Sequence, residues 1–209
     1  MSTSANGISS DLTATILSQM KYVTRAPDEY LKFAFKSDDQ INVWYILMSN
    51  FSGNNNEYLD GEYLLELIMG PNYPYSPPDF RFLTPNGLYD TQQQPCISIG
   101  SYHKNKSRPV LNASSFAHQI LSGFIGWVEM GAGISLLNDS LETKRRYARE
   151  SRAYNRRHNA EALDIVERSF AQYSKRWRLD NIPDYLQQKL KLGKYADTNT
   201  DTNTDTNEK

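Results

Sequence analysis

Apolar residues recur at helical spacing in the first part of the chain. Leu12, Ile16, Leu17, Met20 and Val23 share one side of a helix expected over residues 9–23, with Ser9 or Ser10 as its cap and Ala26-Pro27-Asp28 as its stop. The period then shortens to two. Leu31, Phe33 and Phe35 alternate with polar positions over 30–36, and the segments 41–48, 61–69 and 80–83 are rich in strand formers. Asp38-Asp39-Gln40 and the polar run 52–57 read as turns, so the four strands predict an antiparallel meander. From Gly70 to Pro109 the chain is dense in Pro, Gly, Asn and Gln, and so long an irregular stretch points to function rather than filler. Helical patterns return at 113–130, apolar on most sides and expected to be buried, then at 141–158, 161–177 and, briefly, 182–192. Helix, strands, loop and helices in that order make an α+β chain, not a parallel α/β one.

Composition narrows the picture. The 209 residues include 39% hydrophobic and 12% aromatic positions, enough for a real core. With 23 basic and 24 acidic residues the net charge is −1, so no global field points to nucleic acid or an anionic membrane. The first residues lack the basic start and apolar run of a signal peptide, and no stretch of about 18 apolar residues could span a bilayer. The best candidate, Phe116 to Met130, is interrupted by His118, Gln119 and Glu129. A soluble protein of the cytoplasm is expected. The end repeats Asp-Thr-Asn from Asp197 onward without an apolar residue, and is expected to be disordered. It carries −3, which leaves +2 for residues 1–196.

Four features could carry chemistry or binding. Cys96 is the one cysteine, which excludes an intrachain disulfide and a multi-cysteine metal site. A lone cysteine is commonly a small buried hydrophobe, but this one sits in the irregular region, and a thiolate is the side chain able to form a thioester. A hydrolase would also need a histidine base. His103 lies seven residues away, His118 falls on the apolar helix and His158 in a basic run, so no protease arrangement is legible. Thr84-Pro85-Asn86-Gly87 is a favourable turn, and an amide fixed on such a turn can also donate to a developing oxyanion. Tyr73-Pro74-Tyr75-Ser76-Pro77-Pro78 separates two strands and reads as a rigid crossover rather than a polyproline ligand. Arg145, Arg149, Arg152 and Arg156 line one helix face. Glu142, Glu150 and Glu161 interrupt that field, so a solvated face is favoured over a phosphate-binding one.

Taken in sequence, Tyr73-Pro74-Tyr75-Ser76-Pro77-Pro78, Thr84-Pro85-Asn86-Gly87 and Cys96-Ile97-Ser98-Ile99 resemble the core of ubiquitin-conjugating enzymes. The element order matches that fold, and Gly61 before Tyr63 looks like the family's glycine–aromatic entry to the third strand. Asn86 precedes Cys96 by ten residues, the spacing of the branch anchored by its C-terminal tail in the endoplasmic reticulum; Glu129, Gly131 and Thr143-Lys144-Arg145 fit that branch too. Its histidine, proline and tryptophan segment after the cysteine is matched only at His103 and Pro109, because Lys104, Ser107 and Leu111 replace a proline and two tryptophans. The Asp-Thr-Asn repeats stand where the branch has its anchor. A soluble paralogue or a virus-encoded relative would each account for that.

The resemblance implies a division into a flexible start (1–8), a ubiquitin-conjugating catalytic domain (9–158), a helical extension (159–195) and a tail (196–209). It implies that Cys96 accepts ubiquitin from an activating enzyme and passes it to lysine or hydroxyl acceptors, usually with a ligase. Asn86 would stabilise the oxyanion, and Ser135 would assist the acceptor, in preference to Asn138, Asp139 or Ser140; His103 is a further candidate near the thiol. Pro74 and Tyr75 fall in the family's ligase-contacting loop, and the first helix, here near Lys21, is the one that meets the activating enzyme. Neither metal nor cofactor is implied, since ATP is consumed by the activating enzyme. The alternative on the same fold is a non-catalytic ubiquitin-binding scaffold, which Cys96 beside Asn86 argues against.

Overall fold

The computed structural model describes residues 8–25, 27–51, 57–91, 93–95, 112–124, 137 and 139–176. The first helix, α1 (Ser10–Arg25), forms where the apolar spacing requires it, with Leu12, Ile16, Met20 and Val23 buried. Ser9 is its cap, since the Leu12 N–H donates to Ser9 Oγ at 3.2 Å. Asp11 in the first turn and Arg25 in the last match the helix dipole. Beyond Pro27, Asp28 Oδ1 accepts the N–H groups of Tyr30 (2.6 Å) and Leu31 (2.9 Å), a turn that delivers the chain into the sheet.

Strands β1 (Leu31–Phe35), β2 (Val43–Met48), β3 (Tyr63–Ile68) and β4 (Asp79–Phe82) form the expected meander, antiparallel in the order 1-2-3-4. The register Phe33↔Ile46↔Leu65↔Phe82 sets a row of large apolar side chains across one face. Trp44, Tyr63 and Phe80 join that face, and α1 and α2 (Ala113–Phe124) cover it. Helix α2 is not sunk on most sides as its composition predicted. Phe116, Ala117, Ile120 and Leu121 are buried, whereas Ser114, Ser115, His118 and Gln119 remain partly exposed. A polar side of small side chains and one histidine suffices to make it a one-faced helix. Both ring nitrogens of His118 face acceptors, Ser114 O at 2.8 Å and Asp28 Oδ2 at 2.9 Å, so α2 is tied to the entry of β1.

Two helices follow, α3 (Leu141–His158) and α4 (Ala160–Arg176), joined at Asn159. The Asn159 N–H donates to Asn155 O, and its carbonyl accepts from Leu163 N–H, so one residue closes α3 and opens α4. Helix α4 lies in the segment expected as an extension, and it packs on the opposite sheet face. There Ala162, Leu163 and Val166 meet Ala34, Leu47 and Leu64. Its Tyr173 hydroxyl accepts the Phe33 N–H at 3.1 Å. Because helices cover both faces, residues 63–67 are all buried and β3 loses the polar–apolar alternation of a one-sided strand. Its buried carboxylate, Glu66, is matched by Lys36 Nζ (3.0 Å) and Arg81 Nη2 (2.7 Å). The helix expected over 182–192 and the repeat tail lie outside the described residues.

Candidate functional site

The chain leaves β4 into a bend held from within. Asn86 is fully buried, and its Oδ1 accepts the N–H groups of Leu88 (2.9 Å) and Tyr89 (2.8 Å) while Nδ2 donates to Thr84 O (3.1 Å). A carboxamide has two donors and two acceptor sites. Three are used, and one N–H of Asn86 has no acceptor among the described residues. Gly87 follows with φ +76°, and a Cβ there would stand 2.9 Å from Lys144 Cγ and 3.2 Å from Asp139 Cβ, so backbone angle and space both require glycine. The segment before α3 lies against this bend: Leu137 N–H donates to Leu88 O at 2.8 Å and Asp139 N–H to Gly87 O at 3.4 Å.

A buried polar network secures the same bend from α3. Thr84 Oγ1 accepts the Leu64 N–H at 2.9 Å and donates to Asn155 Oδ1 at 2.5 Å. Asn155 Nδ2 donates to Glu62 O (2.9 Å), and Asn159 Nδ2 donates to Leu83 O (3.1 Å) and Asn155 Oδ1 (3.0 Å). Ser151 Oγ takes the Glu62 N–H at 2.8 Å. Ser151, Asn155 and Asn159 thus recur at helical spacing along one side of α3 and its cap, where they grip β3 and the exit of β4. Around them, burial first, with Glu57 a further contributor for Tyr58 and Tyr63, pushes the hydroxyls of Tyr58, Tyr63 and Tyr89 far above the ordinary tyrosine value, so they stay neutral. Lys144 is turned toward Glu57, 3.7 Å away, and the Tyr58 ring.

Two anchors hold the chain on either side of the Cys96 region. Gln94 Nε2 donates to Asp79 Oδ1 of β4 at 2.9 Å, and the Ala113 N–H donates to Gln19 Oε1 at 2.9 Å. The same Gln19 oxygen accepts the Tyr73 hydroxyl at 2.5 Å, so α1, the proline-rich turn and the start of α2 meet at one side chain. Cys96, His103, Ser135 and Asn138 lie outside the described residues. Lys21 is exposed on α1, Pro74 follows a cis peptide bond with Tyr73, and Tyr75 is 91% exposed. Of the alternatives to Ser135, Ser140 is committed to capping α3 through Thr143 N–H (3.2 Å), whereas Asp139 abuts the Asn86-Gly87 bend. Sequence reasoning passed over Thr84 as a site residue and Asn155 altogether. The available signal was the polar series 151, 155, 159 on the side of α3 that its apolar neighbours mark as buried. Among the described residues no cluster of His, Cys, Asp or Glu could hold a metal ion, and no helix is long and apolar enough to cross a membrane.

No family model matches the chain. Among curated proteins it is 34% identical over 122 residues to an E2 J2-like ubiquitin-conjugating enzyme of Dictyostelium discoideum, a match covering 58% of this chain and 68% of that one. It is 32% identical over 137 residues to ubiquitin-conjugating enzyme E2 6 of Eremothecium gossypii, covering 66% of this chain and 54% of the relative. Human ubiquitin-conjugating enzyme E2 J2 is 32% identical over 99 residues, covering 47% and 37% of the two chains. The match to the solved structure of human ubiquitin-conjugating enzyme E2 G1 has a TM-score of 0.44 at 20% identity, covering 53% of this chain and 92% of that one. The chain belongs to the ubiquitin-conjugating enzyme (E2) family, with the α+β fold the resemblance implied. It spans about half the length of several of the curated relatives it matches.

Proposed function

We propose that the chain carries ubiquitin as a thioester on Cys96 and delivers it to an amine or hydroxyl acceptor. The observation that carries this reading is the second Nδ2–H of Asn86, which has no acceptor among the described residues and is fixed on a buried bend ten residues before the cysteine. A buried donor that the described fold leaves without an acceptor is suited to charge that develops only during reaction. In the first step the Cys96 thiolate attacks the carbonyl carbon of ubiquitin's C-terminal thioester on the activating enzyme. A new C–S bond forms, the old one breaks, and the activating enzyme's thiolate leaves. Exchange between similar thioesters requires no metal or cofactor; ATP is spent by the activating enzyme. In the second step the acceptor attacks the Cys96 thioester, the oxyanion accepts from Asn86, and collapse expels the Cys96 thiolate while the acceptor loses its proton.

Asp139 is the better-supported group for receiving or orienting that acceptor, since its side chain lies beside Gly87 and the Ser140 hydroxyl is engaged in capping. Ser135 and His103 stay as candidates within the same reading. Ubiquitin, an activating enzyme and a ligase are the proposed partners, with Tyr75 and Pro74 facing the ligase and α1 near Lys21 the activating enzyme, in the cytoplasm. The deciding experiment is incubation of the whole chain with ubiquitin, activating enzyme and ATP. A thiol-sensitive adduct that disappears in Cys96→Ala is the expected result. No adduct, together with noncovalent ubiquitin binding, would make the chain a scaffold instead.

A further inference from the structure

Thr84 takes part in two bonds that serve different ends of the molecule. Its carbonyl accepts the Asn86 Nδ2 bond at 3.1 Å, and its hydroxyl donates to Asn155 on α3 at 2.5 Å. The sequence separation between Thr84 and Asn155 is 71 residues, and both side chains are fully buried, so no solvent molecule can readily replace either partner. Asn155 has little freedom to turn. Its Oδ1 takes Thr84 and Asn159, its Nδ2 gives to Glu62 O, and a flipped amide would set its NH₂ group against that of Asn159. The Thr84 hydroxyl in turn accepts the Leu64 N–H, whose own carbonyl takes Leu83 N–H at 2.8 Å. The Thr84 peptide is therefore fixed from the sheet and from α3 together.

We propose that Thr84 and Asn155 are positioning residues for thioester discharge: α3, through Asn155, sets the Thr84 peptide, and that peptide aims the second Nδ2–H of Asn86. The proposal rests on the oxyanion role given to Asn86 above. It predicts a loss that falls on discharge and not on loading, because loading requires Cys96 and the activating enzyme's surface, whereas an oxyanion donor acts within tenths of an ångström of its working place.

The test uses the full chain loaded with ubiquitin, the activating enzyme then quenched, and single-turnover discharge followed over a range of free lysine or serine, whichever the wild type accepts. Thr84→Val is expected to load within about twofold of wild type and to lower the maximal discharge rate about tenfold, leaving the half-saturating acceptor concentration unchanged. Thr84→Ser keeps the hydroxyl and should recover most of that rate. On an Asn86→Ala background, Thr84→Val should add no further loss, since the group it serves is gone. Should Thr84→Val not fold, Asn155→Ala gives the same comparison from the other side of the bond. Losses that multiply on the Asn86→Ala background, or that fall equally on loading, would overturn the positioning role alone. A wild-type chain that accepts no ubiquitin would overturn the functional reading and this proposal with it.

Discussion

Two turns of the molecule use nearly the same residues to opposite ends. The turn at 70–78 contains Asn72, Tyr73, Pro74 and Tyr75; the bend at 84–89 contains Pro85, Asn86, Gly87 and Tyr89. In the first, backbone bonds within the turn hold the shape, Tyr73 N–H to Gly70 O at 3.0 Å and Tyr75 N–H to Asn72 O at 2.8 Å. One side chain, Tyr73, is anchored inward, and Tyr75 points to solvent. In the second, Asn86, Gly87 and Tyr89 are buried, and β3, α3 and the segment before α3 all grip the bend. A turn that supports itself can present a side chain for recognition at little cost to the fold. A turn supported from three directions can hold one amide where chemistry needs it, and has no tolerance for change.

The sharpest way to break this contrast is Asn86→Ala. Loss of one oxyanion donor slows discharge by roughly 100- to 1,000-fold, with loading retained; unchanged discharge in a folded variant would reduce Asn86 to a turn residue. Gly87→Ala comes next, expected to cost about 2 kcal/mol of stability through the left-handed backbone and the contact with Lys144 and Asp139. Denaturant unfolding measures it, and a cost below about 0.5 kcal/mol would mean the bend yields more readily than its packing implies.

The two turns should also differ in pH response. Thr84, Asn86, Asn155 and Asn159 carry no titratable group, whereas α2, whose Ala113 N–H shares Gln19 with Tyr73, is tied down by His118 and Asp28. The bond to Asp28 raises the His118 pKa above its ordinary 6.5, outweighing burial. At Asp28, burial acts upward, but the bonds from His118 and from the N–H groups of Tyr30 and Leu31 outweigh it and lower the net value below 3.8. The histidine's contribution is complete below pH 6.5 and fades as pH rises through its raised value; the aspartate's is complete above 3.8 and fades as pH falls through its lowered one. His118 is half-exposed, so solvent screening limits the whole effect to no more than about 1 kcal/mol. The stability difference between wild type and His118→Gln should be greatest between those two values and shrink toward pH 9. A pH-independent difference would rule out the ion pair as its source. The smallest effect belongs to Tyr75→Ala. Its unfolding free energy should match wild type within about 0.5 kcal/mol, while ligase-stimulated discharge falls and unstimulated discharge does not.

Much of the fold was legible because its signals are local. The 3.6 and 2.0 periodicities located α1, α3, α4 and the four strands to within a few residues, and the Pro-Asn-Gly chemistry located the Asn86 bend. Burial of Asn86 was less legible, since a turn is ordinarily at the surface and nothing near it in sequence announces Asp139 or Asn155. Those contacts to the bend are made by residues 53 and 69 positions beyond Asn86, and only tertiary packing brings them back. Helix α2 was overestimated for a related reason: its composition is apolar, but its polar residues gather on one side. The double cover of the sheet was foreshadowed by the consecutive apolar positions Tyr63-Leu64-Leu65 in β3, which a one-sided sheet does not need.

The hydroxyl of Tyr173 has a consequence for how short this protein can be made. Strand β1 is an edge strand of the meander, and its Phe33 amide points away from β2 toward open space until α4 closes over it. Cutting the chain after residue 158 would strip that cover and bare Ala34, Leu47 and Leu64 as well, leaving a hydrogen-bonding rim beside a greasy patch. Such a fragment would be prone to add strands from its neighbours and grow into aggregates, so the smallest unit of this chain that keeps its sheet covered extends through α4.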